Sequence, residues 1–387
     1  MTPAARVAAA IEILEMIFDG ATPEKSLTGW GRRHRFAGSK DRAAIRDHVF
    51  QALRCRASYG WLGSAETGRG VMLGAMRAAG QVDEMFSGIA HAPRVVEEGE
   101  DARALEDADR ATKNDMPAWL LPYFDSALGD DSDGVMEILK TRAGVFLRVN
   151  AARTDTMEMI DVLAQDGVTA VPVADIKNAL QVTENERRVA QSDAYLAGLI
   201  ELQDASSQHA MIGLGLTAGQ RVLDLCAGGG GKALAMAALG ADVTAHDIDP
   251  RRMVDLAPRA ERAGVVIETV STDQLSTLVP FDVVLVDAPC SGSGTWRRTP
   301  AAKWDLTPER LLELTQIQDD VLAQAATLVG SDGTLAYATC SVFDVENIDR
   351  IQDFIKTQGD FKMVSKTLRR PCAGGDGFFI AQLCRTA

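Results

Sequence analysis

Apolar residues recur at helical spacing from about Ala4 to Met76: Ile11, Leu14, Ile17 and Phe18 form one stripe, and Ile45, Val49, Phe50 and Leu53 another. The pattern predicts an all-α module over residues 1–80, with Ser39 and Asp41 as candidate helix caps. It breaks over 81–116, where Glu97, Glu98, Glu100, Asp101, Glu106, Asp107 and Asp109 crowd a stretch of little periodicity that reads as an exposed acidic connector. Pro117 to Leu139 is helical again. From Gly144 to about Ile200 short β-rich runs appear at Val145–Val149 and Thr169–Val171, with an amphipathic helix at Thr154–Ala164 between them, so 117–200 is expected to form a small α+β unit. From Glu201 to residue 387 strands and helices alternate, the pattern of a parallel sheet with helices on both faces.

The chemistry gathers where those last strands end. Val222–Leu225 reads as the first strand and runs into Cys226, Ala227, Gly228, Gly229, Gly230, Gly231 and Lys232, a turn that brings backbone N–H groups and a helix N-terminus to a nucleotide-like cofactor. Glycine loops serve many ligands, and this one gains meaning from Val243–Asp247, a second strand ending in a carboxylate placed to accept both ribose hydroxyls. Asp273 follows the third strand and reads equally as an acceptor for an adenine amino group or as a helix cap. Phe281–Asp287 leads into Asp287-Ala288-Pro289-Cys290, and Gly333–Thr339 leads into Cys340-Ser341. Adjacent strand ends thus put both cysteines at the ligand edge of the sheet. Cys55, Cys226 and Cys384 fit instead as small core residues.

At 387 residues the chain should divide into two or three domains. Glu12 and Glu15 interrupt the apolar stretch Ala8–Phe18, which is a helix rather than a signal peptide, and no run of about 18 apolar residues suggests a membrane span. The six cysteines show neither Cys-x-x-Cys pairs nor zinc spacing, so reduced thiols, a cytoplasmic setting and no metal are expected. A net charge of −14 argues against indiscriminate nucleic-acid binding. Local basic clusters at Arg32, Arg33, His34 and Arg35, at Lys40–Arg56 and at Arg297-Arg298 leave room for an RNA-binding stripe, against the plainer reading of each as a solvated helix face.

Paired cysteines beside a nucleotide loop suit one reaction in particular. Carbon 5 of cytosine attacks a sulfonium methyl only after a thiolate has added at carbon 6, which is covalent catalysis. A carboxyl at the ring nitrogen stabilises the adduct if desolvation raises its pKa, and Asp287 stands in the place for it. Lys232 helps to keep a thiol ionised, and the base must leave any stack. Spacing alone leaves Cys290 and Cys340 both open as the nucleophile.

In these motifs the chain resembles the Sun/RsmB-type RNA cytosine-5 methyltransferases. The resemblance rests on Gln203-Asp204, Asp224-Leu225-Cys226-Ala227 with Gly230-Gly231-Lys232, Asp287-Ala288-Pro289-Cys290-Ser291-Gly292, Arg297-Arg298 with Lys303-Trp304, and Thr339-Cys340-Ser341 followed by Glu346-Asn347. It implies a Rossmann-like class I methyltransferase domain over 201–387, preceded by the small α+β domain. Ser39–Arg42 through Leu53-Arg54 looks like the NusB-like helical RNA-binding domain of bacterial members. The implied cofactor is S-adenosyl-L-methionine, held by the Cys226–Gly231 loop, Lys232, Asp247, Arg252, Asp273 and Asp287. The Thr-Cys-Ser cysteine, Cys340, becomes the nucleophile, Cys290 assists release of the product, and Lys232 and Asp287 complete the active site. The implied partner is small-subunit (16S) ribosomal RNA or an assembly intermediate, with transfer RNA as the alternative; no DNA or membrane partner is expected, and a monomer is. The chain departs from the family in having Gly228-Gly229 for Ala-Pro and Ala233 for Thr. A DNA cytosine-5 methyltransferase would choose Cys290 and leave Thr339–Ser341 without a role. A non-catalytic ribosome-assembly factor would have no need of both cysteines, Asp287 and Lys232, and small-molecule methyltransferases share the fold without needing paired thiols.

Overall fold

Thr2 accepts the Ala5 N–H and Pro3 occupies the first turn, so the helix Pro3–Phe18 begins where the apolar stripe begins. In the computed structural model, which describes residues 1–386, it joins helices Pro23–Arg33, Ser39–Arg54, Arg56–Leu62 and Gly68–Ala78 around buried Ile13, Leu14, Ile45, Val49, Leu53, Val71 and Leu73. The cap before Ser39–Arg54 is Gly38, not Ser39 or Asp41. Asp41 lies instead in the first turn, where a carboxylate complements the helix dipole, and it pairs with the N-terminal ammonium and Arg6.

The acidic stretch expected as an exposed connector packs into this same unit, which comprises 1–142 together with 296–305. Glu100 pairs with Arg69 at 2.7 Å, Trp61 Nε1 donates to the Ala104 carbonyl, and fully buried Asp115 accepts from both the N–H and the hydroxyl of Ser58. The acidic side chains themselves stay exposed as expected, all but half-buried Glu100; what ties the stretch down is the Arg69 pair and the backbone contacts of Trp61 and Arg77. The segment 296–305 satisfies the end of helix Ser39–Arg54. Lys303 Nζ donates to the Arg54 carbonyl at 2.7 Å and Trp304 Nε1 to the Leu53 carbonyl at 2.8 Å, groups that have no partner within the helix. Arg297 is 2% exposed, so it does not belong to the solvent-facing basic stripe its sequence suggested, and Arg298 alone of that pair is exposed; Lys303 is buried as well, at 1%. Burial pushes the Lys303 ammonium down to about 8, with Asp115 opposing.

The second unit, 143–295 with 306–387, carries two sheets. In the smaller, β1 (Val145–Val149), β2 (Thr169–Pro172), β3 (Ala179–Glu184) and β4 (Ile200–Leu202) are ordered β2-β3-β1-β4 and wholly antiparallel. The helix Thr156–Gln165, capped by Asp155, covers it through Met159 and Leu163. The larger sheet contains β5 (Arg221–Asp224), β6 (Asp242–Ala245), β7 (Ile267–Thr269), β8 (Phe281–Asp287), β9 (Val329–Thr339), β10 (Phe361–Arg369) and β11 (Phe378–Arg385), ordered β10-β11-β9-β8-β5-β6-β7. Five of these strands are parallel as expected, but β11 runs antiparallel to β9 and to β10. The short 370–377 connection is too brief for a parallel crossover. Apolar clusters cover both faces, with Leu223, Val284 and Tyr337 on one side and Val222, Leu285 and Ala336 on the other. Among the described residues no helix is long and apolar enough to cross a membrane.

Candidate active site

Glycine is needed in the loop after β5 for a specific reason. Gly230 adopts φ +80°, and a Cβ there would come within 2.1 Å of the Leu256 side chain. The Gly228 N–H donates to Asp247 Oδ2 at 2.9 Å, while Asp247 Oδ1 accepts the Asp249 N–H at 3.0 Å. Arg252 pairs with Asp247 at 3.1 Å, and Arg259 donates to the Gly229 carbonyl. Asp247, expected to face a ribose, is therefore also the brace that shapes the loop. Asp273 is exposed in the first turn of Thr272–Leu275, but it is not the cap: Ser271 is, in a capping box with Gln274. Burial, followed by the nearby Asp224, pushes the Cys226 thiol up to about 12, which makes it an inert loop residue.

Asp224, which the sequence reading used only as a family marker, ends β5 with 0% exposure; the Ala233 N–H approaches its carboxyl, but neither oxygen has a partner at full hydrogen-bond geometry among the described residues. Burial first and the charge of Asp287 second push it up to about 7. Lys232, in the first turn of the helix Gly231–Ala238, pairs with Asp287 at 2.6 Å. Burial works against the Lys232 ammonium, yet Asp287 holds it above its ordinary value. The protonated carboxyl expected at Asp287 is thus an ion pair with Lys232. These residues fit S-adenosylmethionine: the loop backbone leaves room for close approach, and an unpartnered buried carboxyl suits a cofactor carrying an ammonium and a sulfonium.

Parallel pairing of β8 with β9, with Asp287 opposite Ala338, brings the loops that follow them together. Cys290 Sγ and Cys340 Sγ stand 3.4 Å apart. The hydrogen bond from Cys290 lowers the Cys340 pKa, burial and Asp287 oppose, and Lys232 and Thr295 assist. The same hydrogen bond and burial raise Cys290 well above the ordinary thiol range. Either sulfur can donate across the 3.4 Å gap, and the surroundings favour a proton on Cys290 over one on Cys340. Beneath them lies fully buried Glu346, which accepts from the Ser291 N–H at 2.7 Å and from the hydroxyls of Ser291 and Ser341. Asn347 next to it accepts from Thr339 Oγ1 at 2.6 Å and donates to the Ser341 carbonyl at 2.9 Å. Sequence reasoning gave neither residue a role, since nothing in the motif tells a buried acid from an exposed one.

Comparison with known proteins follows the same lines. The family described as 16S rRNA methyltransferase RsmB/F matches residues 211–384, and its ferredoxin-like domain matches 116–190. Ribosomal RNA small subunit methyltransferase B of Escherichia coli (strain 536) is 33% identical over 284 residues, covering 70% of this chain and 66% of that protein. The chain thus spans about two thirds of the length of the curated relatives it matches. Among solved structures, PH0851 superposes with a TM-score of 0.77 at 22% identity over 99% of both chains. NSun6 from Pyrococcus horikoshii with SFG gives a TM-score of 0.63 at 16% identity, covering 70% of this chain and 98% of that one, and at such identities both speak to the fold. With two family matches covering most of the chain and the motif residues assembled at one sheet edge, the protein belongs to the RsmB/F methyltransferase family.

Proposed function

We propose that the protein is an S-adenosylmethionine-dependent RNA methyltransferase that modifies carbon 5 of a cytosine in small-subunit (16S) ribosomal RNA through a covalent adduct with Cys340. The observation that carries this reading is the pair of thiols 3.4 Å apart beside the Lys232–Asp287 ion pair, in surroundings that favour the proton on Cys290.

Cys340 Sγ adds to carbon 6, and the electron pair of the ring double bond moves toward carbon 5 and the ring nitrogen. Asp287, paired with Lys232 at 2.6 Å, would face the ring nitrogen where that charge gathers. S-Adenosylmethionine, when bound, would supply the methyl as an electrophile to the electron pair gathered at carbon 5, its sulfur leaving as a neutral thioether; Asp224 and the Gly228–Gly231 backbone would hold its amino-acid end, Asp247 its ribose and Asp273 its adenine. In the last step the carbon-5 proton leaves to water, the double bond re-forms, and Cys340 departs as a thiolate to which the Cys290 thiol donates. RNA is the macromolecular substrate because the chain matches a family described as 16S rRNA methyltransferases; the target base must be unstacked to reach the pocket, and Arg32, Arg42 and Arg46, which line an open cavity of about 430 Å³ in the helical unit, offer phosphate contacts.

The test is an adduct gel with RNA and S-adenosylmethionine. Cys340→Ala should abolish both methyl transfer and any denaturation-resistant complex, whereas Cys290→Ala should accumulate that complex. An adduct trapped by Cys340→Ala would exchange the two roles, and methylation of duplex DNA equal to that of RNA would overturn the substrate.

A further inference from the structure

The two cysteine loops converge on one carboxylate. Ser291 follows Cys290 and donates to Glu346 through both its N–H and its hydroxyl, while Ser341 follows Cys340 and donates through its hydroxyl. Gln318 Nε2, from the helix Pro308–Ala326, adds a fourth donor at 3.2 Å. A second strap reinforces the junction, with Ser293 Oγ and Ser341 Oγ 2.9 Å apart and the Val342 N–H donating to Ser293 Oγ. None of the four donors to the Glu346 carboxylate carries a charge. Dipoles solvate a buried carboxylate but do not cancel its field, and the thiol attached to the Ser291 side of the junction is Cys290.

We propose that Glu346 is the positioning residue that decides which of the two thiols becomes the nucleophile, by clamping both cysteine loops and placing its fixed negative charge on the Cys290 side. The assignment rests on the reading of Cys340 as nucleophile. A negative charge next to Cys290 disfavours a second thiolate there, and Glu346 is indeed one of the groups that raises Cys290. Cys290 then keeps its proton and donates it across the 3.4 Å gap, which leaves Cys340 as the anion. The other ionisable groups around the pair are Lys232 and Asp287 facing Cys340, with Asp224 beyond Lys232. On the Cys290 side stands Tyr337, with Arg350 and Asp319 beyond it. The Tyr337 hydroxyl donates to the Glu346 carbonyl at 2.7 Å. Glu346→Gln changes none of these and keeps the shape and an acceptor at the junction while removing the charge.

The full chain, free of RNA and cofactor, is treated with iodoacetamide across a pH series, and alkylation of Cys340 and Cys290 is counted separately by mass spectrometry. The wild type should react first at Cys340, and Glu346→Gln should lower the Cys340-to-Cys290 rate ratio by about tenfold, with the pH profile of Cys290 displaced downward. Faster alkylation of Cys290 in the wild type overturns the nucleophile reading and this assignment with it. A wild-type preference for Cys340 that Glu346→Gln leaves intact overturns the role of Glu346 alone. If Glu346→Gln does not fold, Glu346→Asp keeps the charge but draws it back from both loops: the Cys340-to-Cys290 alkylation ratio should fall while both thiols stay reactive, and an unchanged ratio overturns the clamp.

Discussion

Replacing Asp224 with asparagine removes a proton-binding site that the fold holds at about 7 against an ordinary carboxylate value of 3.8. That difference corresponds to about 4 kcal/mol of disfavoured ionisation. Because the folded-state pKa is raised, the native protein keeps a proton that the unfolded chain has already lost. Stability therefore falls as pH rises from about 4 to about 7 and levels off above, and roughly 2.5 kcal/mol of that loss lies between pH 5 and pH 8. An asparagine side chain cannot ionise, so the Asp224→Asn protein should lack this part of the pH dependence. It will have its own cost from an unpartnered buried amide, of about 1–3 kcal/mol, but that cost is the same at every pH and cancels in the comparison. The assay must read the right unit. All five tryptophans (Trp30, Trp61, Trp119, Trp296 and Trp304) lie in the helical unit, so fluorescence is uninformative here. Urea unfolding followed by far-ultraviolet circular dichroism, with hydrogen exchange of peptides covering β5 and β6, reports on the unit that contains Asp224. Parallel stability-against-pH curves for the two proteins would refute the argument, and so would tighter S-adenosylmethionine binding by the asparagine variant at pH 8.

Asp247→Ala should weaken S-adenosylmethionine binding by about 1.5–3 kcal/mol for each charged hydrogen bond lost, and it should loosen the Gly228 turn as well; calorimetry showing unchanged affinity contradicts the assignment. Exchanging Arg32 and Arg46 for alanine should reduce RNA affinity and make the slope of log affinity against log salt shallower by up to about two, whereas an unchanged slope removes that cavity from the RNA path. Lys303, lowered by burial from 10.5 to about 8, makes stability rise with pH across that window by about 3 kcal/mol, because the folded state there binds fewer protons than the unfolded chain. Lys303→Met should flatten this dependence in tryptophan-monitored unfolding, and a persisting rise would mean another group carries it.

The strands of the larger sheet were legible because the inner residues of β5, β6 and β8 and the second half of β9 are buried on both faces and carry short apolar stretches such as Val283–Val286 and Leu335–Ala338. So were the two cysteines, since parallel strands deliver their carboxyl ends to one edge whatever lies between them in sequence. What escaped was burial of charge. Glu346 looked like any acid in a polar motif, Asp224 served only as a motif residue, and Arg297 looked like a surface cation, because their surroundings come from segments distant in the chain. The antiparallel pairing of β10 with β11 was missed for a related reason: the alternation that signals a parallel sheet says nothing of a hairpin appended to its edge.

The segment 296–305 has a consequence for how such a protein can be inherited. Its coding stretch lies inside that of the second unit, yet its side chains complete the first: Lys303 and Trp304 end a helix formed by residues 39–54, and Trp296 is wholly buried there. No single crossover between ancestral sequences can exchange the helical unit intact. A recombinant joined at residue 142 would receive foreign partners for Arg54 and Leu53, and a fragment beginning at 143 would carry an apolar, cationic decapeptide with nothing to cover it. The two units must therefore change together, one substitution at a time.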